Sequence, residues 1–420
     1  MRMSLIALAV PFFLLALLME LAVDRWRGTG YYRSNDAINS LSAGILSETT
    51  GYFTKIVQYT IWGLVLSNLA LFEMQRGWFD ASASGIALWI LAAVLWDFCY
   101  YWNHRLGHEI SVLWAAHAVH HQSEEYNLST ALRQTSTGFL LGWIFYLPLF
   151  LIGFPIEVLL VVNAINLIYQ FWVHTQFVGR LGALDFILVT PSNHRVHHAQ
   201  NKIYIDRNYG GMLILWDRMF GTFQDELAEE PVVYGVRKAL HSWNPFFANL
   251  QVYALLWKDA LHTRRWSDKF RTWFGRTGWR PADVARQYPV ELTDPAALDK
   301  FDPQISRATR NYVLLQFAVC TALILWIGVR FAQQGAAAVV VPCVQLWATL
   351  YTVGLLNEGK RYARLFELIR VMLILPLGVA LLVSPPGWLY TAAAAYAVAS
   401  IIGLIFISKN KEQEAILNVE

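Results

Sequence analysis

Charged residues are scarce in this sequence. Asp, Glu, Lys and Arg make up only 15% of the 420 residues, whereas hydrophobic residues make up 56%. A typical soluble domain contains about 25% charged residues. No segment shows the alternation of apolar and polar residues that is typical of strands. The composition therefore argues against a soluble protein and predicts an all-α, polytopic integral membrane protein.

Cysteine and net charge are low as well. The three cysteines, Cys99, Cys320 and Cys343, each lie inside an apolar run, so no disulfide framework is indicated. Without clustered thiols, an iron–sulfur cluster or a cysteine-rich structural zinc site is disfavoured. A net charge of +3 is too small to indicate a nucleic-acid partner.

Long apolar runs are abundant. A bilayer-spanning helix needs roughly 20 mostly apolar residues. Two shorter runs, 138–153 and 156–174, flank the turn at 153–155 and predict a short helical hairpin that enters the bilayer and returns to the same side. About seven full spans are predicted, at 4–23, 84–102, 311–330, 337–355, 367–384 and 388–407, with a weaker one at 56–72.

Basic residues are distributed unevenly among the connections. The segment 179–310 is rich in Lys and Arg, whereas the connections 331–336 and 385–387 contain neither. The positive-inside rule then places the N-terminus outside and the histidine clusters and C-terminus in the cytoplasm. The membrane is expected to be a bacterial inner membrane or the endoplasmic reticulum.

Three zones are predicted along the sequence. Residues 1–80 form the N-terminal transmembrane helices. Residues 81–310 form a catalytic region with the histidine clusters and a cytoplasmic, histidine-rich cap for two metal ions. Residues 311–420 form the C-terminal transmembrane helices, which contain no histidine.

Histidine is concentrated in one part of the sequence. Eight of the eleven histidines lie in the motifs HRLGH, HAVHH and HRVHH. Spacings of three and four residues place side chains on one face of a helix, and imidazole is the commonest metal ligand. His174 is a candidate ninth ligand, the alternative being an interface histidine. The predicted ligands are His104, His108, His117, His120, His121, His174, His194, His197 and His198.

The number of imidazoles indicates the metal. Two ions that share eight or nine nitrogens would each be five- or six-coordinate with an open position, which suits iron and not four-coordinate structural zinc. The Glu-x-x-His pairs of carboxylate-bridged di-iron bundles are absent. Carboxylates that could orient an imidazole through its second nitrogen are Asp97, Glu109, Glu124, Glu125 and Asp206.

Two of these carboxylates are candidate catalytic residues. Asp97 lies in a nearly apolar helix, where a charge is costly without a partner, so it has either a polar role in the site or a hydrogen bond between helices. Glu109 follows the first cluster directly and acts either beside the metal or cofactor or as an ordinary surface charge.

The sequences around the clusters resemble the fatty acid hydroxylase and sterol desaturase superfamily. Within it they are most similar to the ether-lipid-cleaving branch, the alkylglycerol monooxygenases. The resemblance extends from about Trp96 to Phe223. It is carried by WDFCYYWNHRLGHE, WAAHAVHHQSEEYNLSTALRQ, QFWVHT, TPSNHRVHHAQN and IDRNYGGMLILWDRMFGTF.

The resemblance implies a specific chemistry. The eight clustered histidines would bind two iron ions that use O2 as co-substrate. Oxygen would be inserted beside the ether oxygen of an alkylglycerol, giving a fatty aldehyde and a glycerol derivative, with electrons from tetrahydrobiopterin. Glu109 matches a glutamate linked to activity and to the pterin. Asn193 departs from relatives that often have histidine, although asparagine can still hydrogen-bond a bound water.

Two other functions stay open at this point. The same site could hydroxylate or desaturate a sterol or a fatty acyl group, using a redox protein in place of the pterin. A histidine-based metal transporter would need polar residues along a path through several spans, and 311–408 offers almost none. The expected partners are therefore a bilayer lipid and an electron donor, and the oligomeric state is left open.

Overall fold

The protein is helical throughout the part that the structure describes. The computed structural model describes residues 5–382 and 387–417. Within these ranges, extended segments pair only at three isolated bridges, which join Ile110 to Arg276, Leu188 to Leu213 and Ala199 to Tyr234. The predicted all-α class is confirmed. The end of the predicted span 367–384 and most of the connection 385–387 lie outside the described residues.

Eighteen α-helices occur among the described residues. The first ten are α1 Leu5–Arg27, α2 Ser34–Leu69, α3 Ala83–Glu109, α4 Ser111–His121, α5 Leu128–Ala131, α6 Leu147–Ile152, α7 Ile156–Trp172, α8 Leu184–Ile187, α9 Pro191–His197 and α10 Leu215–Phe220. The others are α11 Pro245–His262, α12 Trp266–Phe274, α13 Ala282–Gln287, α14 Arg307–Gln334, α15 Val340–Asn357, α16 Ala363–Ile369, α17 Leu375–Leu381 and α18 Gly387–Leu417. Short 3-10 turns are Arg76–Trp78, Gly138–Leu140, Gly142–Tyr146, Pro295–Ala297 and Ala336–Val339, and Arg370–Ile374 is a π-helical turn.

The protein divides into two compact units. The larger contains the residues up to 240 together with 249–299, and the smaller contains 241–248 and the residues from 300 onward. All the clustered histidines lie in the larger unit. The predicted zone boundaries at residues 80 and 310 remain predictions.

Four helices among the described residues are long and apolar enough to cross a membrane. The predicted run 4–23 forms most of α1, the run 56–72 overlaps the second half of the 36-residue α2, and the run 367–384 is interrupted by the π-helical turn. The number of seven spans and the cytoplasmic orientation remain predictions. The four candidate spans are Ala83–Glu109, Arg307–Gln334, Ala336–Asn357 and Gly387–Ile407.

A helical hairpin is present where the two shorter apolar runs predict one. Its arms are Gly142–Ile152 and Ile156–Trp172. Gly153 ends the first arm with a φ of 111°, a left-handed conformation that favours glycine. A Cβ atom at Gly153 would lie 1.9 Å from the carbonyl oxygen of Phe72, so a side chain has no room. The turn therefore brings the backbone back toward the histidines of α3 and α4.

Asp97 holds three segments of the larger unit together. Its carboxylate, 1% exposed, lies in the middle of α3. It accepts hydrogen bonds from Asn166 Nδ2 of α7 at 3.0 Å and from Trp216 Nε1 of α10 at 2.9 Å. The backbone N–H groups of Met212 and Leu213 donate to it at 2.7 and 3.0 Å. The sequence allows two roles for Asp97, a polar role in the site or a hydrogen bond between helices. The contacts with Asn166 and Trp216 are hydrogen bonds between helices.

Replacing Asp97 should therefore destabilise the fold. Asp97→Ala would leave four buried or half-buried donors without their acceptor, and each buried donor that stays unsatisfied costs about 1–3 kcal/mol. We expect the unfolding temperature of the purified protein to fall by several degrees, measured by a thermal shift assay in detergent. The control is Asp299→Ala at an exposed position. An unchanged unfolding temperature together with lost turnover would instead make Asp97 a catalytic residue.

Candidate metal centre

Four segments bring the histidines together. α3 carries His104 and His108 in its last turns, and it ends because Ile110 adopts an extended conformation, with φ −114° and ψ 127°. The backbone then turns into α4, which carries the HAVHH motif. His174 follows the end of α7, and the HRVHH motif runs along α9, with His198 as its C-terminal cap residue.

The nine imidazoles form two groups. Within each group, one ligand atom per residue lies within 4.8 Å of all the others. His174 belongs to the smaller group, so the structure brings the candidate ninth ligand to the other eight. The five-histidine group is His104, His108, His117, His121 and His197. The four-histidine group is His120, His174, His194 and His198.

Each HxxHH motif serves both groups. On α4, the pair spaced by four residues, His117 and His121, enters the five-histidine group, and His120 enters the other. On α9 the assignment is reversed, because the pair His194 and His198 enters the four-histidine group. Each of the two helices therefore contributes histidines to both groups. The three- and four-residue spacing of the histidines alone does not predict this division.

The distances between nitrogens fit a shared ion. His117 Nε2 lies 3.0 Å from the Nε2 atoms of both His104 and His121. In the four-histidine group, successive Nε2 atoms are 3.1–3.2 Å apart. Two nitrogens bound at about 2.1 Å to one ion, at right angles, lie about 3.0 Å apart. The spacing is therefore that of neighbouring ligands on one metal.

Backbone carbonyls fix the tautomers of four imidazoles. A carbonyl oxygen only accepts, so a ring nitrogen at 2.8–3.0 Å from it carries the proton and the opposite nitrogen keeps its lone pair. The pairs are His104 Nδ1 with Tyr209 O, His120 Nδ1 with Arg133 O, His174 Nδ1 with Gln170 O and His197 Nδ1 with Arg207 O.

The facing nitrogens of His120 and His174 illustrate the consequence. Both Nδ1 atoms donate to carbonyls, so both Nε2 atoms present lone pairs to each other at 3.2 Å. No hydrogen bond can join two acceptors. A cation that both lone pairs bind would remove the repulsion, so this donor set fits a metal ion.

Burial keeps the imidazoles neutral. Eight of the nine are 2–8% exposed, and His117 is half-buried. Burial lowers the pKa of His120 to about 4, and burial with the neighbouring imidazoles lowers the pKa of His121 and His198 well below the usual value. Neutral imidazole is the form that binds metal.

Three buried ring nitrogens have no hydrogen-bond partner among the described residues. They are Nε2 of His108 and His197 and Nδ1 of His194. An unsatisfied buried polar atom is costly, so native proteins rarely leave several together. Metal coordination is the simplest compensation for Nε2 of His108 and His197. It does not apply to Nδ1 of His194, because that ring turns Nε2 toward its group and Nδ1 away from it.

Backbone strain accompanies two of the carbonyl contacts. Asp206 and Asn208 have φ values of 60° and 56°, which are uncommon for residues other than glycine. Arg207 lies between them, and its carbonyl accepts a hydrogen bond from His197. Tyr209 follows Asn208, and its carbonyl accepts a hydrogen bond from His104. Backbone strain of this kind persists where the surrounding structure requires the unusual conformation. Here the conformation directs two carbonyls toward two imidazoles.

The predicted carboxylates lie around the centre with different partners. Asp206 Oδ1 is 4.0 Å from His108 Nδ1. Glu109, half-buried, accepts from Arg105 Nε at 2.9 Å. Glu124 and Glu125 are buried and pair with Arg33, at 3.1 and 2.5 Å. The sequence predicts that carboxylates orient the imidazoles, but backbone carbonyls do so at four of them. The sequence gives no sign of this, because every residue has a backbone carbonyl.

Asn193 precedes His194 but binds the backbone. Its Nδ2 donates to the carbonyls of Asp185 at 3.1 Å and Leu188 at 3.4 Å. Its own carbonyl accepts from Asn208 Nδ2 at 3.0 Å. Asn193 thereby links α9 to α8 and to the strained segment.

The segment that carries His174 is held by a buried acid of α1. Glu20 accepts from Thr175 Oγ1 at 2.5 Å and from the backbone N–H of Leu128 at 2.8 Å. The hydroxyl of Tyr32 donates to the same carboxylate. The only acidic residue of the predicted first span is thus used to position the backbone beside His174.

Comparison with known proteins agrees with this geometry. The family model for fatty acid hydroxylase matches residues 89–222, which contain all nine histidines. Alkylglycerol monooxygenase of Homo sapiens is 36% identical over 375 residues, covering 88% of this chain and 81% of the human protein. The alkylglycerol monooxygenases of Xenopus tropicalis and Danio rerio are 34% and 35% identical over 369 residues, covering 87% of this chain and 80% of each relative.

No solved structure matches the protein. The sequence relatives, however, extend across both compact units, well beyond the histidine motifs. The apolar helices and the relatives together identify a membrane-embedded oxidoreductase. The chain belongs to the fatty acid hydroxylase family, in its alkylglycerol monooxygenase branch, and is a monooxygenase.

Proposed function

We propose that this monooxygenase uses two iron ions and O2 to hydroxylate the carbon beside the ether oxygen of alkylglycerols. The observation that carries the proposal is the pair of histidine groups, in which neutral imidazoles face one another with unprotonated nitrogens. Five and four nitrogens suit two ions that each keep an open position better than closed tetrahedral zinc. The names of the relatives support the ether-lipid substrate.

Each group would hold one iron. His104, His108, His117, His121 and His197 would bind the first, and His120, His174, His194 and His198 the second. When bound, the metal supplies the activation of O2 that no amino-acid side chain provides.

The protein itself provides orientation and exclusion of water. The four carbonyl contacts keep Nε2 of His104, His120, His174 and His197 directed into the groups. Burial of the imidazoles excludes solvent, which limits side reactions of the activated oxygen. Asp97 and Asn193 act as positioning residues, because each bonds the backbone of segments that carry or contact the histidines.

The substrate's own chemistry favours the carbon next to the ether oxygen. The oxygen lone pair weakens the C–H bond at that carbon relative to a C–H bond in the middle of the alkyl group. Two electrons and two protons reduce O2, so that one oxygen atom enters the C–H bond and the other leaves as water. The resulting hemiacetal loses its hydroxyl proton to the glycerol oxygen and breaks the C–O bond, which yields a fatty aldehyde and a glycerol derivative.

Glu109 is proposed to contact the electron donor, tetrahydrobiopterin. Glu109 follows His108 directly at the end of α3, and His108 belongs to the five-histidine group. The side chain of Glu109 is 23% exposed, which leaves it accessible to a donor arriving from water. The cytoplasmic side, predicted from the basic residues, is where such a donor would arrive.

The remaining candidates differ in substrate or in class. Hydroxylation or desaturation of a sterol or a fatty acyl group, with a redox protein as donor, would use the same two groups of histidines. Membership in a monooxygenase branch supports the enzyme over a metal transporter. The product assay below separates the two lipid chemistries.

Metal content tests the assignment of ligands. Elemental analysis of the purified protein is expected to find two iron ions per protein molecule. His121→Ala and His174→Ala should each lose iron from one group and lower activity by more than about 100-fold, since even residues behind the ligands are worth 10–100-fold. The control is His262→Ala, an exposed histidine outside both groups. A purified protein that holds zinc and never iron would contradict the proposal.

Product analysis tests the substrate. A labelled alkylglycerol in detergent or lipid should give a fatty aldehyde only when O2 and tetrahydrobiopterin are both present. The matched control is the monoacylglycerol of the same carbon number, whose ester lacks the activated C–H bond and should give no aldehyde. Conversion of a sterol or fatty acyl lipid, with no aldehyde or acid from the alkylglycerol, would refute ether cleavage.

The pterin role of Glu109 has its own test. Glu109→Gln should raise the KM for tetrahydrobiopterin by about 10-fold or more, because a charge-assisted hydrogen bond is worth about 1.5–3 kcal/mol. Iron content and the KM for the alkylglycerol should stay unchanged. Glu229→Gln, at an exposed position, is the control. An unaltered KM for the pterin would leave Glu109 as a partner of Arg105 alone.

A further inference from the structure

The helix α12 presents an apolar stripe to its surroundings. Trp266, Phe270 and Phe274 are 83%, 67% and 53% exposed. They are spaced by four residues, so they lie on one face of the helix. The end of α11 adds Trp257 and Leu261, which are 61% and 60% exposed. Isolated exposed apolar residues are ordinary, but a contiguous set of large ones marks a surface that binds something apolar.

The opposite side of α12 is fixed to the metal-binding helix α4. α12 packs against α4, and Thr272 on that side is buried. The residue after α12, Gly275, accepts from the backbone N–H of Ser111 at 3.0 Å. Arg276 pairs with Ile110 in an isolated bridge. The apolar stripe is therefore the outer face of a helix that is held in place.

The same contacts set the depth of α12 relative to the membrane. The backbone N–H of Thr277 donates to the carbonyl of Glu109 at 3.0 Å. Glu109 is the last residue of α3, one of the four candidate spans. The end of α12 is thus bonded to a residue that lies seven positions beyond the apolar run 84–102, or about 10 Å further along the helix, at the level of the lipid headgroups. Trp and other amphipathic aromatic side chains concentrate at this level of a bilayer.

Within residues 257–276, the exposed charged side chains are all basic. The two acidic residues of 257–276 do not compete with the basic ones at the surface, because Asp259 is buried against Arg280 at 2.6 Å and Asp268 is half-buried. A helix with aromatic residues on one face and exposed cations beside it matches an anionic lipid surface. The exposed basic residues of this stretch are Lys258, Arg264, Arg265, Arg271 and Arg276.

We propose that α12 and the last turn of α11 form an interfacial anchor that inserts the stripe between the lipid headgroups and acyl chains of the bilayer spanned by α3. The exposed cations would contact anionic headgroups. Because α12 packs on α4, which carries His117, His120 and His121, the anchor would hold the histidine groups at the lipid surface. The proposal concerns lipid contact and does not depend on the substrate.

Spin labels on the full-length protein in lipid nanodiscs test the anchor. The three native cysteines are buried, so a nitroxide attaches selectively to a single introduced cysteine. Phe270→Cys and Trp266→Cys report on the stripe, and Glu229→Cys is the water-exposed control. Since positions 266, 270 and 229 are all exposed, the substitutions leave the core unaltered.

Collision with a water-soluble nickel chelate and with O2 gives the depth. In nanodiscs with an anionic lipid, labels at 266 and 270 should collide with the nickel chelate about tenfold less than the label at 229, and more with O2, as expected for the headgroup boundary. Equal nickel accessibility at 270 and 229 would overturn the proposal. Protection accompanied by dipolar broadening between labels would also overturn it, by showing an interface between copies of the protein.

Discussion

The rest of the structure is built to hold ring nitrogens that face each other at about 3 Å. Those of His120 and His174 are both unprotonated and therefore repel each other. Nine imidazoles are gathered with their nitrogens converging in a region from which water is largely excluded. Such an arrangement costs free energy unless a cation is bound, so the rest of the larger unit must hold it in place. The carbonyl contacts, the strained segment around Asn208 and the buried Glu20 all hold elements of this arrangement.

Fold and site are coupled because α4 and α9 each contribute to both histidine groups. Neither group can form without the correct placement of both helices. The same helices are fixed by contacts far from the imidazoles: α4 by the segment after α12, and α9 through Asn193 and the loop that bonds to it. The carboxylate of Asp97 adds a link from α3 to α7 and α10. Loss of any of these contacts should therefore affect metal binding indirectly.

The helical fold and the histidines of the site can be predicted from the sequence. The division of the histidines into two groups and the contacts that orient their rings cannot. Helical spacing identifies all the clustered histidines, because three- and four-residue separations have few other uses in such density. It does not divide them into groups, since that depends on how α4 and α9 face each other. Backbone carbonyls orient four rings and carry no side-chain signature. The spacing of the aromatic residues in WSDKFRTWF indicates the stripe of α12. Its exposure could not be predicted, because the sequence does not tell which face of α12 packs on α4.

The reversed sharing of the two HxxHH motifs has an evolutionary consequence. A helix turns by about 100° per residue, so one residue inserted into or deleted from either motif would rotate some of its histidines away from the groups to which they belong. A single length change can thus disturb both histidine groups together. A change of length inside either motif is therefore expected to cost more than a change of length in the loops that connect the helices.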